Sequence, residues 1–534
     1  MPSNSIHSEK LSLLTVRKGL GVAFVIVLLT VHLVAQNTDR TTQIHVEQGW
    51  LAGTPGSDSS VMVFRGVPYA APPVGALRWQ APRPPASWRG VRTADKFSPN
   101  PMQVMVNSYG PWTAEYQPQG SVSEDCLYLN IWTSAKSSKE KRPVMMYIPG
   151  GAFTGGSGDV PVYDGEHLAK KGIIVVTINY RVSVFGFLAL RELTKESGNN
   201  SSGNYGLLDQ VAALRWIRRN IAAFGGDPDR VTIMGQSAGA ASVNYLTASP
   251  LAKGLFVQAI AESGTNGVIG PGENLKSAEE NGLRFEKAMR VSSLAELRAI
   301  PAAALIDSTT NRFHFLPIVD GWFLPKSADE IFTKGEQSDV STITGWVADE
   351  GSFMGNYGKV PAEEFREGVK RRAGGFADEV LKLYPALTEE EAAESQKAWA
   401  RDMSIVSTYS WASKREKTAK TNIYTYLFVH PQPGATEARY ETFHSSELPY
   451  VFDNLDKSPR PWTMKDTAIA ETMSRYWVNF LTTGDPNGKG LPVWPAFKDA
   501  PEKTMELGDT TEAKEMMSKG KFELLKKLSG DGEE

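Results

Sequence analysis

The sequence predicts an α/β protein in which a central, mostly parallel sheet carries helices on both faces. Short apolar runs alternate with helical stretches along the chain, a pattern typical of parallel sheets buried on both sides. Residues 210–224 place apolar side chains on one helical face and arginines on the other. Residues 231–243 predict a strand, a tight turn and a helix, with the pentapeptide GQSAG (235–239) at the turn. These three observations predict the fold class.

The individual elements follow from local patterns. Strands are predicted at residues 127–132, 144–148, 172–179, 231–234, 256–262, 341–345 and 422–429, after a β-hairpin that begins near residue 41. Helices are predicted at 210–224, 363–372, 387–402 and 468–481. The charged helices after residue 270 are expected as insertions over the sheet. Six prolines between Pro68 and Pro85 exclude a helix or a central strand there and predict a rigid surface loop.

Composition and charge indicate a soluble globular chain. Of the 534 residues, 41% are hydrophobic and 22% are charged, which is close to the averages for such proteins. The net charge is only -3 and the two signs are interspersed, whereas phosphate binding requires a clustered basic face. We therefore expect no nucleic-acid partner. No repeat or linker divides the chain, so we predict one domain over residues 41–510 and a polar tail over 511–534.

The N-terminus has the pattern of a signal peptide. Lys10, Arg17 and Lys18 precede an apolar run at residues 19–35, and a polar segment follows. We predict a signal peptide over residues 1–35. An uncleaved anchor is the alternative, because the run is nearly long enough to span a bilayer, and only that outcome would bring the chain to a membrane. The single cysteine leaves an exported chain without an internal disulfide, which favours a bacterial periplasmic or secreted protein.

The pentapeptide at 235–239 predicts a nucleophilic serine. In a G-x-S-x-G turn between a strand and a helix, the serine occupies a strained conformation, and the flanking glycines allow the strand and the helix to approach closely. Ser237 follows the carboxyl end of the predicted strand, which is where parallel sheets bind ligands. In a glycine-rich chain the pentapeptide alone is a weak motif, so the prediction depends on suitable partners for Ser237.

A serine nucleophile needs a histidine base, and three histidines follow Ser237 in the sequence. His444 lies in the loop after the strand predicted at 422–429. His430 lies closer to the end of that strand and is the rival candidate. His314 stands between two phenylalanines and is expected to be a packed structural residue.

The histidine in turn needs a carboxylate, and the tetrahedral intermediate needs backbone N–H donors. Asp349 and Glu350 both lie just after the strand predicted at 341–345, so the residues alone leave the acid open between them. Residues 150–152, Gly-Gly-Ala, follow another strand and are small enough to let the backbone approach a substrate. The N–H of Ala238, directly after the serine, is the expected second donor.

Many further motifs occur in one order. They are residues 64–75 with LRW at 77–79, SEDCLYLN at 123–130, NYGL at 204–207, FGGDP at 224–228, the pentapeptide, ESG at 262–264, DEG at 349–351, His444 with ELPY at 447–450, and GDPN at 484–487. Through these motifs the chain resembles the type B carboxylesterases, the family that includes the cholinesterases, from about residue 41 to residue 497.

The resemblance implies an α/β-hydrolase fold with helical insertions over the active site. It also implies an exported serine esterase that acts on a small-molecule ester and uses no cofactor and no metal. Residue by residue, it places the nucleophile at Ser237, the acid at Glu350, the base at His444 and the oxyanion donors at Gly151, Ala152 and Ala238. It thereby disfavours Asp349 and His430.

Four departures from the family pattern bear on the site. Pro149 stands where the family usually has histidine or tyrosine, and Ala152 where it often has glycine. Gln236 replaces a frequent glutamate before the nucleophile, which makes a special affinity for cationic substrates less expected. Cys126 matches one half of a common family disulfide, but Met102 stands where the partner would be, so we expect a buried free thiol.

We predict that the protein hydrolyses carboxylic esters through an acyl-enzyme on Ser237. The same chemistry serves feruloyl esterases, thioesterases and amidases, and a non-catalytic cholinesterase-like binding module is the alternative outside the enzymes. Acyl and alcohol specificity and oligomeric state do not follow from the sequence. Five aromatic residues near the motifs are each expected to line the substrate pocket or to pack in the core: Phe153, Phe313, Phe315, Trp322 and Phe353.

Overall fold

The computed structural model describes residues 42–264, 273–309, 312–434 and 440–529. The predicted signal peptide, residues 1–35, lies outside these residues. The strands are β1 (Gln43–Val46), β2 (Gly49–Ala52), β3 (Thr54–Pro55), β4 (Met62–Pro68), β5 (Val91–Thr93), β6 (Asn100–Pro101), β7 (Val122–Ser123), β8 (Tyr128–Thr133), β9 (Arg142–Ile148), β10 (Ile174–Ile178), β11 (Gly226–Gln236), β12 (Gln258–Glu262), β13 (Ser341–Val347), β14 (Ile423–Phe428), β15 (Lys503–Leu507) and β16 (Thr511–Glu515).

The α-helices of the described residues alternate with these strands. They are α1 (Glu166–Lys170), α2 (Ser183–Phe187), α3 (Arg191–Glu196), α4 (Tyr205–Asn220), α5 (Ala238–Ala248), α6 (Leu275–Ala288), α7 (Leu294–Ala299), α8 (Ala302–Thr309), α9 (Ala328–Lys334), α10 (Ala362–Ala373), α11 (Ala377–Leu383), α12 (Glu389–Glu416), α13 (Leu448–Val451), α14 (Met464–Thr483) and α15 (Lys519–Leu528). Within the described residues, no helix is both long and apolar enough to cross a membrane.

Eleven strands form one sheet in the order β16-β15-β14-β13-β12-β11-β9-β10-β8-β4-β3. From β15 to β10 in this order, each strand is parallel to the next one. The pairs β16-β15, β10-β8, β8-β4 and β4-β3 are antiparallel. The predicted α/β-hydrolase fold with a mostly parallel sheet is therefore confirmed. Its parallel centre brings the carboxyl ends of β9, β11, β12, β13 and β14 to one edge, where ligands bind.

Both faces of the sheet are buried, because successive apolar side chains of the central strands point to opposite faces. In β9, Met146 belongs to the core cluster that includes Trp216 of α4, whereas Met145 belongs to the cluster that includes Trp477 of α14. All four side chains are at most 1% exposed. Helices on both faces therefore hold the sheet rigid, and a rigid sheet positions the loops at its carboxyl edge.

The predicted strands and helices are confirmed, and four of them are longer than predicted. β11 begins earlier, at Gly226, and α4 begins earlier, at Tyr205. The helix predicted at 387–402 continues to Glu416 and begins with a capping box between Thr388 and Glu391. The helix predicted at 468–481 begins earlier, at Met464, and ends where Gly484 adopts a left-handed conformation (φ 81°).

The C-terminal region differs from the predicted polar tail. Residues 511–515 form β16, which pairs antiparallel with β15 at the edge of the main sheet. The helix α15 follows and buries Leu524 and Leu525 against a cluster that includes Trp399 of α12. The charged residues of β16 are half-buried or exposed because the strand lies at the sheet edge, and this is why its sequence resembles a tail. Residues 530–534 lie outside the described residues.

Candidate active site

Ser237 lies in a strained turn between β11 and α5. Its backbone has φ 59° and ψ -123°, a left-handed conformation that costs a non-glycine residue about 1–3 kcal/mol. A Cβ on Gly235 would lie 2.5 Å from backbone atoms of Gly239, and a Cβ on Gly239 would lie 2.0 Å from the carbonyl oxygen of Ile148. Both pentapeptide glycines are therefore required by close backbone contacts, and the turn projects Ser237 from the carboxyl edge of the sheet.

Backbone hydrogen bonds fix the turn. The N–H of Ser237 donates to the carbonyl oxygen of Glu262 at the end of β12 (2.9 Å), and the carbonyl oxygen of Ser237 accepts from the N–H of Ala241 (2.9 Å). Ala238 is the first residue of α5, so its N–H has no acceptor within the helix. The N-terminus of α5 thus presents a free donor and a positive dipole end beside the serine.

Glu350 and His444 are brought together from two neighbouring strand ends. Glu350 follows β13, His444 lies between β14 and α13, and Oε2 of Glu350 is hydrogen-bonded to Nδ1 of His444. The other carboxylate oxygen, Oε1, accepts the N–H of Val347 (3.0 Å) and the hydroxyl of Ser263 (2.5 Å). Glu350 is thereby held by three donors, and its orientation fixes that of the imidazole.

The side-chain nitrogen of Gln236 lies 3.1 Å from Nε2 of His444 and 3.5 Å from its Nδ1, so the amide stands over the face of the imidazole ring. Among the described residues no hydrogen bond joins His444 to Ser237. Hydrogen bonds between nucleophile and base are often long in free enzymes and shorten when substrate binds. The rings of Trp112 and Phe353 lie 6.2 and 6.1 Å from the imidazole, centroid to centroid. The imidazole of His444 therefore packs against two aromatic side chains.

The electrostatics of His444 suit a base. Burial disfavours its protonated form, but the charge and the hydrogen bond of Glu350, helped by the charge of Glu447, outweigh burial and raise the pKa of His444 above its ordinary 6.5. The imidazole therefore binds a proton more strongly than a free histidine does, and its cation is stabilised by Glu350.

The loop after β9 presents two further N–H donors. Gly151, Ala152 and Phe153 all have positive φ values, 114°, 54° and 59°. The loop closes because the carbonyl oxygen of Gly151 accepts the N–H groups of Thr154 and Gly155 (2.9 and 3.0 Å). The N–H groups of Gly151 and Ala152 have no acceptor in the described part of the chain. They are free to bind a negatively charged oxygen at the serine.

Ser237, His444 and the glycine loop line one cavity of about 630 Å³. Aromatic and apolar side chains form much of its wall, among them Val104, Met105, Tyr109, Trp112, Phe313 and Phe353. No lysine, arginine, aspartate or glutamate is present among the described residues that line this cavity. The cavity has the volume of a small-molecule site and an uncharged wall.

The rival residues have other partners. The carboxylate of Asp349 is 2% exposed and is bound by Tyr357 (2.9 Å) and Arg401 (3.3 Å) on the side of the helical insertions. Nδ1 of His430 lies 2.7 Å from Asp509, and its Nε2 lies 3.0 Å from Asp466. Of the two histidines only His444 lines the cavity, and of the two acids only Glu350 is hydrogen-bonded to His444.

The expectation that His314 is a packed structural residue is wrong. His314 is exposed and lines the cavity, because alternation along the extended segment buries Phe315 and turns the histidine the other way. Of the five aromatic residues near the motifs, Phe313, Phe315 and Phe353 line the cavity. Phe153 packs in the core against Phe187, and Trp322 lies outside the lining.

Two buried glutamates lie behind the histidine, and sequence reasoning assigned them no role. Burial raises the pKa of Glu262 to about 8, while its Oε1 accepts the indole N–H of Trp477 (2.9 Å). Burial, with the charges of Glu262 and Glu350, raises the pKa of Glu447 well above its usual range. Ionisation of both carboxyl groups at the same time is therefore disfavoured. Ser263 was also missed, although it lies in the ESG motif next to Glu262.

Cys126 is a buried free thiol, as expected, and its pKa is raised by burial and by the charge of Asp209. In the described part of the chain, no group of three or more histidine, cysteine, aspartate or glutamate side chains is placed to hold a metal ion.

The fold and the cavity define an α/β hydrolase. The chain belongs to the Carboxylesterase family, whose model matches residues 40–525. It is 37% identical to the fumonisin B1 esterase of Sphingopyxis macrogoltabida over 480 residues, which are 87% of this chain and 86% of that protein. It is 34% identical to the para-nitrobenzyl esterase of Bacillus subtilis, with 87% of this chain and 94% of the relative covered.

The human cocaine esterase is 32% identical to the chain over 511 residues, which are 88% of this chain and 87% of that protein. The predicted family, the α/β-hydrolase fold and the hydrolysis of carboxylic esters are thus confirmed. The alternative of a non-catalytic binding module is set aside, because the relatives named here are esterases.

Proposed function

We propose that the protein hydrolyses carboxylic esters through an acyl-enzyme on Ser237, with His444 as base and Glu350 as the residue that orients His444. The observation that carries this proposal is the hydrogen bond between Glu350 and Nδ1 of His444, because His444 lines the same cavity as Ser237. This bond keeps the imidazole proton on Nδ1 and leaves the lone pair on Nε2 directed toward the serine turn.

In the first step, Ser237 Oγ attacks the ester carbonyl carbon while Nε2 of His444 takes the hydroxyl proton. The carbonyl oxygen becomes an oxyanion, which accepts hydrogen bonds from the N–H groups of Gly151, Ala152 and Ala238. Each such donor contributes about 3 kcal/mol to stabilising the transition state. His444 then gives its proton to the leaving alcohol oxygen, and the acyl group stays on Ser237.

In the second step, His444 takes a proton from water, and the resulting hydroxide attacks the acyl carbon. The proton on Nε2 passes to Ser237 Oγ as the acid is released, which restores the free enzyme. Glu350 stabilises the imidazolium in both steps without itself taking the proton.

We propose uncharged esters with an aromatic or short alkyl group as the substrate class. The described cavity wall contains aromatic rings and no acidic, lysine or arginine side chain, so a charged substrate would lose its hydration without gaining a partner. The name of the para-nitrobenzyl esterase supports an aromatic alcohol group, because a nitrobenzyl group is aromatic and uncharged.

Export of the chain is also a proposal. The N-terminal charge and hydropathy pattern supports a signal peptide over residues 1–35 and a periplasmic or secreted enzyme. The mass and N-terminal sequence of the protein recovered from its native host test this. We expect a mature chain that begins near residue 36, and a retained N-terminus in the membrane fraction would indicate an anchor.

Replacement of Ser237 tests the mechanism. Ser237→Ala should lower kcat for p-nitrophenyl acetate by about 10⁴-fold or more and abolish covalent labelling by an organophosphonate. Ser242→Ala is the matched control, because Ser242 is a buried serine of α5 whose hydroxyl oxygen accepts a hydrogen bond from Gln210, and it should retain both. Turnover by Ser237→Ala above about one hundredth of the wild-type rate would contradict the proposal.

A further inference from the structure

The side chain of Gln103 is buried at the wall of the active-site cavity, and it binds backbone atoms with all of its polar groups. Its amide nitrogen donates to the carbonyl oxygens of Pro101 and Gly156, each at 3.0 Å. Its Oε1 accepts the N–H of Gly156 at 2.8 Å. Since a primary amide has two N–H donors, both are used here and neither is left for a substrate. Gln103 therefore holds Gly156 by its N–H and by its carbonyl group.

Gly155 and Gly156 pack directly against the glycine loop at residues 150–152. A Cβ on Gly156 would lie 2.1 Å from the carbonyl oxygen of Gly150, so the two backbones are in contact with no room for a side chain. The N–H of Gly155 donates to the carbonyl oxygen of Gly151 at 3.0 Å. The segment that Gln103 holds therefore contacts the carbonyl groups of both Gly150 and Gly151.

These two carbonyl groups determine where the proposed oxyanion donors point. A trans peptide unit is planar, so a carbonyl group and the N–H of the next residue point in opposite directions within one plane. The carbonyl of Gly150 thus sets the direction of the N–H of Gly151, and the carbonyl of Gly151 sets that of Ala152. Because Gly155 and Gly156 contact both carbonyl oxygens, the two N–H groups are turned away from them, and neither has an acceptor in the described part of the chain.

We propose that Gln103 is a positioning residue for the oxyanion site. By holding Gly156, it keeps residues 155 and 156 against the glycine loop and so fixes the directions of the N–H groups of Gly151 and Ala152. This inference rests on the proposed function, in which those N–H groups stabilise the oxyanion formed at Ser237. The effect of Gln103 is indirect, because its amide binds backbone atoms of Pro101 and Gly156 and donates to no reacting group.

Removal of the amide tests this role. In Gln103→Ala the two donors lose their fixed direction, so kcat/KM for p-nitrophenyl acetate should fall by about ten- to one hundredfold. An aryl trifluoromethyl ketone forms a tetrahedral adduct with Ser237 that carries the oxyanion, so its affinity should fall by the same factor as kcat/KM. Both quantities are expressed per active serine, counted by organophosphonate titration. A residue that only stabilised the fold would lower the number of active serines and leave both quantities unchanged.

A substitution at Gly155 tests the same contact from the other side. The three atoms nearest to a Cβ on Gly155 all belong to Gln103, with Oε1 at 2.7 Å. Gly155→Ala should therefore displace the amide of Gln103 and lower kcat/KM by about tenfold. In the Gln103→Ala background the same change should lower kcat/KM less than about twofold, because the amide that it displaces is gone. Gly155→Ala also keeps the test valid if Gln103→Ala fails to fold.

Gln258→Ala is the matched control. Gln258 is a buried glutamine whose Oε1 accepts the hydroxyl of Thr232 at 2.7 Å. It is the first residue of β12, so it lies at the edge of the sheet opposite the cavity. This variant should keep the kcat/KM and the ketone affinity of the wild type.

Three results would overturn the positioning role. They are wild-type kcat/KM and ketone affinity per active serine in Gln103→Ala, a loss of kcat/KM without an equal loss of ketone affinity, and fully additive losses in the double variant. The proposed mechanism fails by a different result, namely turnover and labelling that survive in Ser237→Ala. The two failures are therefore distinguishable.

Discussion

Two histidines follow β14 in the sequence, and the structure gives them opposite surroundings. His444 is hydrogen-bonded to one carboxylate, Glu350, through Nδ1, and the uncharged amide of Gln236 lies 3.1 Å from its Nε2 and 3.5 Å from its Nδ1. His430 contacts a carboxylate at each nitrogen, Asp509 at 2.7 Å and Asp466 at 3.0 Å. A base needs one nitrogen lone pair that a substrate proton can reach, and of these two histidines only His444 lines the cavity.

Asp466, one of the two carboxylates that contact His430, belongs to a structural network. Asp466 caps α14 through the N–H of Thr463 (2.8 Å) and accepts the hydroxyl of Tyr450 (2.8 Å). His430 therefore ties the end of β14 to the start of α14 and to Asp509 beyond β15. The comparison teaches that two features distinguish a base from a structural histidine: the number of carboxylates around the ring and their burial. The position of the histidine in the sequence is less informative.

The largest expected effect comes from removing the base. His444→Gln leaves no side chain that can take the proton of Ser237, so kcat for p-nitrophenyl acetate should fall by about 10⁴-fold or more. Steady-state kinetics on protein with a wild-type circular dichroism spectrum measures this fall. A smaller loss than in His430→Gln would reverse the assignment of the two histidines.

The next effect comes from making the carboxylate of His444 neutral. In Glu350→Gln the imidazolium loses its charged partner, so kcat should fall by about 10³-fold. Glu350 is also the main group that raises the pKa of His444 against the effect of burial. Since the base acts in its neutral form, activity of the wild type declines below a pKa higher than 6.5, and the residual activity of Glu350→Gln should decline only at a lower pH.

The pH profiles of kcat/KM for the two proteins provide that measurement. Asp349→Asn is the matched control, because Asp349 is adjacent in sequence but is bound by Tyr357 and Arg401. Its acidic midpoint should equal that of the wild type. If Asp349→Asn displaced the acidic midpoint of kcat/KM and Glu350→Gln did not, Asp349 would have to replace Glu350 as the proposed acid.

A smaller effect is expected where a hydroxyl holds the carboxylate of Glu350, the proposed acid. Ser263 donates to Oε1 of Glu350 at 2.5 Å, as Tyr450 donates to Asp466 in the other network. Ser263→Ala leaves Glu350 with the N–H of Val347 and with His444, so kcat should fall by about tenfold, in line with the loss of one hydrogen bond to a charged group. An unchanged kcat at all pH values would show that Ser263 does not position the acid.

The fold could be predicted largely from the sequence because its central strands are short apolar runs with clear boundaries. The parallel strands β9 to β14 are buried on both faces, so their composition alone identifies them. The edge strand β16 was predicted as part of a tail, since half-buried and exposed charged residues in an edge strand resemble a solvated segment. Pairing with β15 is a contact in space that the local sequence does not encode.

The candidate site was predictable to the degree that local sequence determines it. The glycines around Ser237 follow from the turn itself. The choice between His430 and His444 needed family resemblance, because Asp509, which engages His430, lies 79 residues further along the chain. Ser263 was missed for the same reason: its contact with Glu350 arises only because β12 and β13 end side by side.

The contact between Gln236 and His444 was likewise absent from the sequence reasoning, which treated Gln236 only as a missing negative charge. Its side chain reaches the imidazole because the turn places residue 236 at the carboxyl end of β11, beside the loop that follows β14. The residue type was visible in the sequence, but its partner 208 positions later was not.

The smallest effect on catalysis is expected at the structural histidine. His430→Gln removes a donor from Asp466, which is 1% exposed, but Asp466 keeps the hydroxyl of Tyr450 and the N–H of Thr463. Asp509 is largely exposed and regains water. We therefore expect a loss of about 2 kcal/mol in the free energy of unfolding and a kcat within about threefold of the wild type.

Chemical denaturation and steady-state kinetics of the folded variant measure the two quantities separately. His444→Gln is the counterpart for comparison: it removes a partner of Glu350 at the wall of an open cavity, where water can enter, so its stability should change less than that of His430→Gln. A stable His430→Gln protein that has lost its kcat would mean that the clamp also governs the loop of His444. In that case His430 and His444 would not have separate structural and catalytic roles.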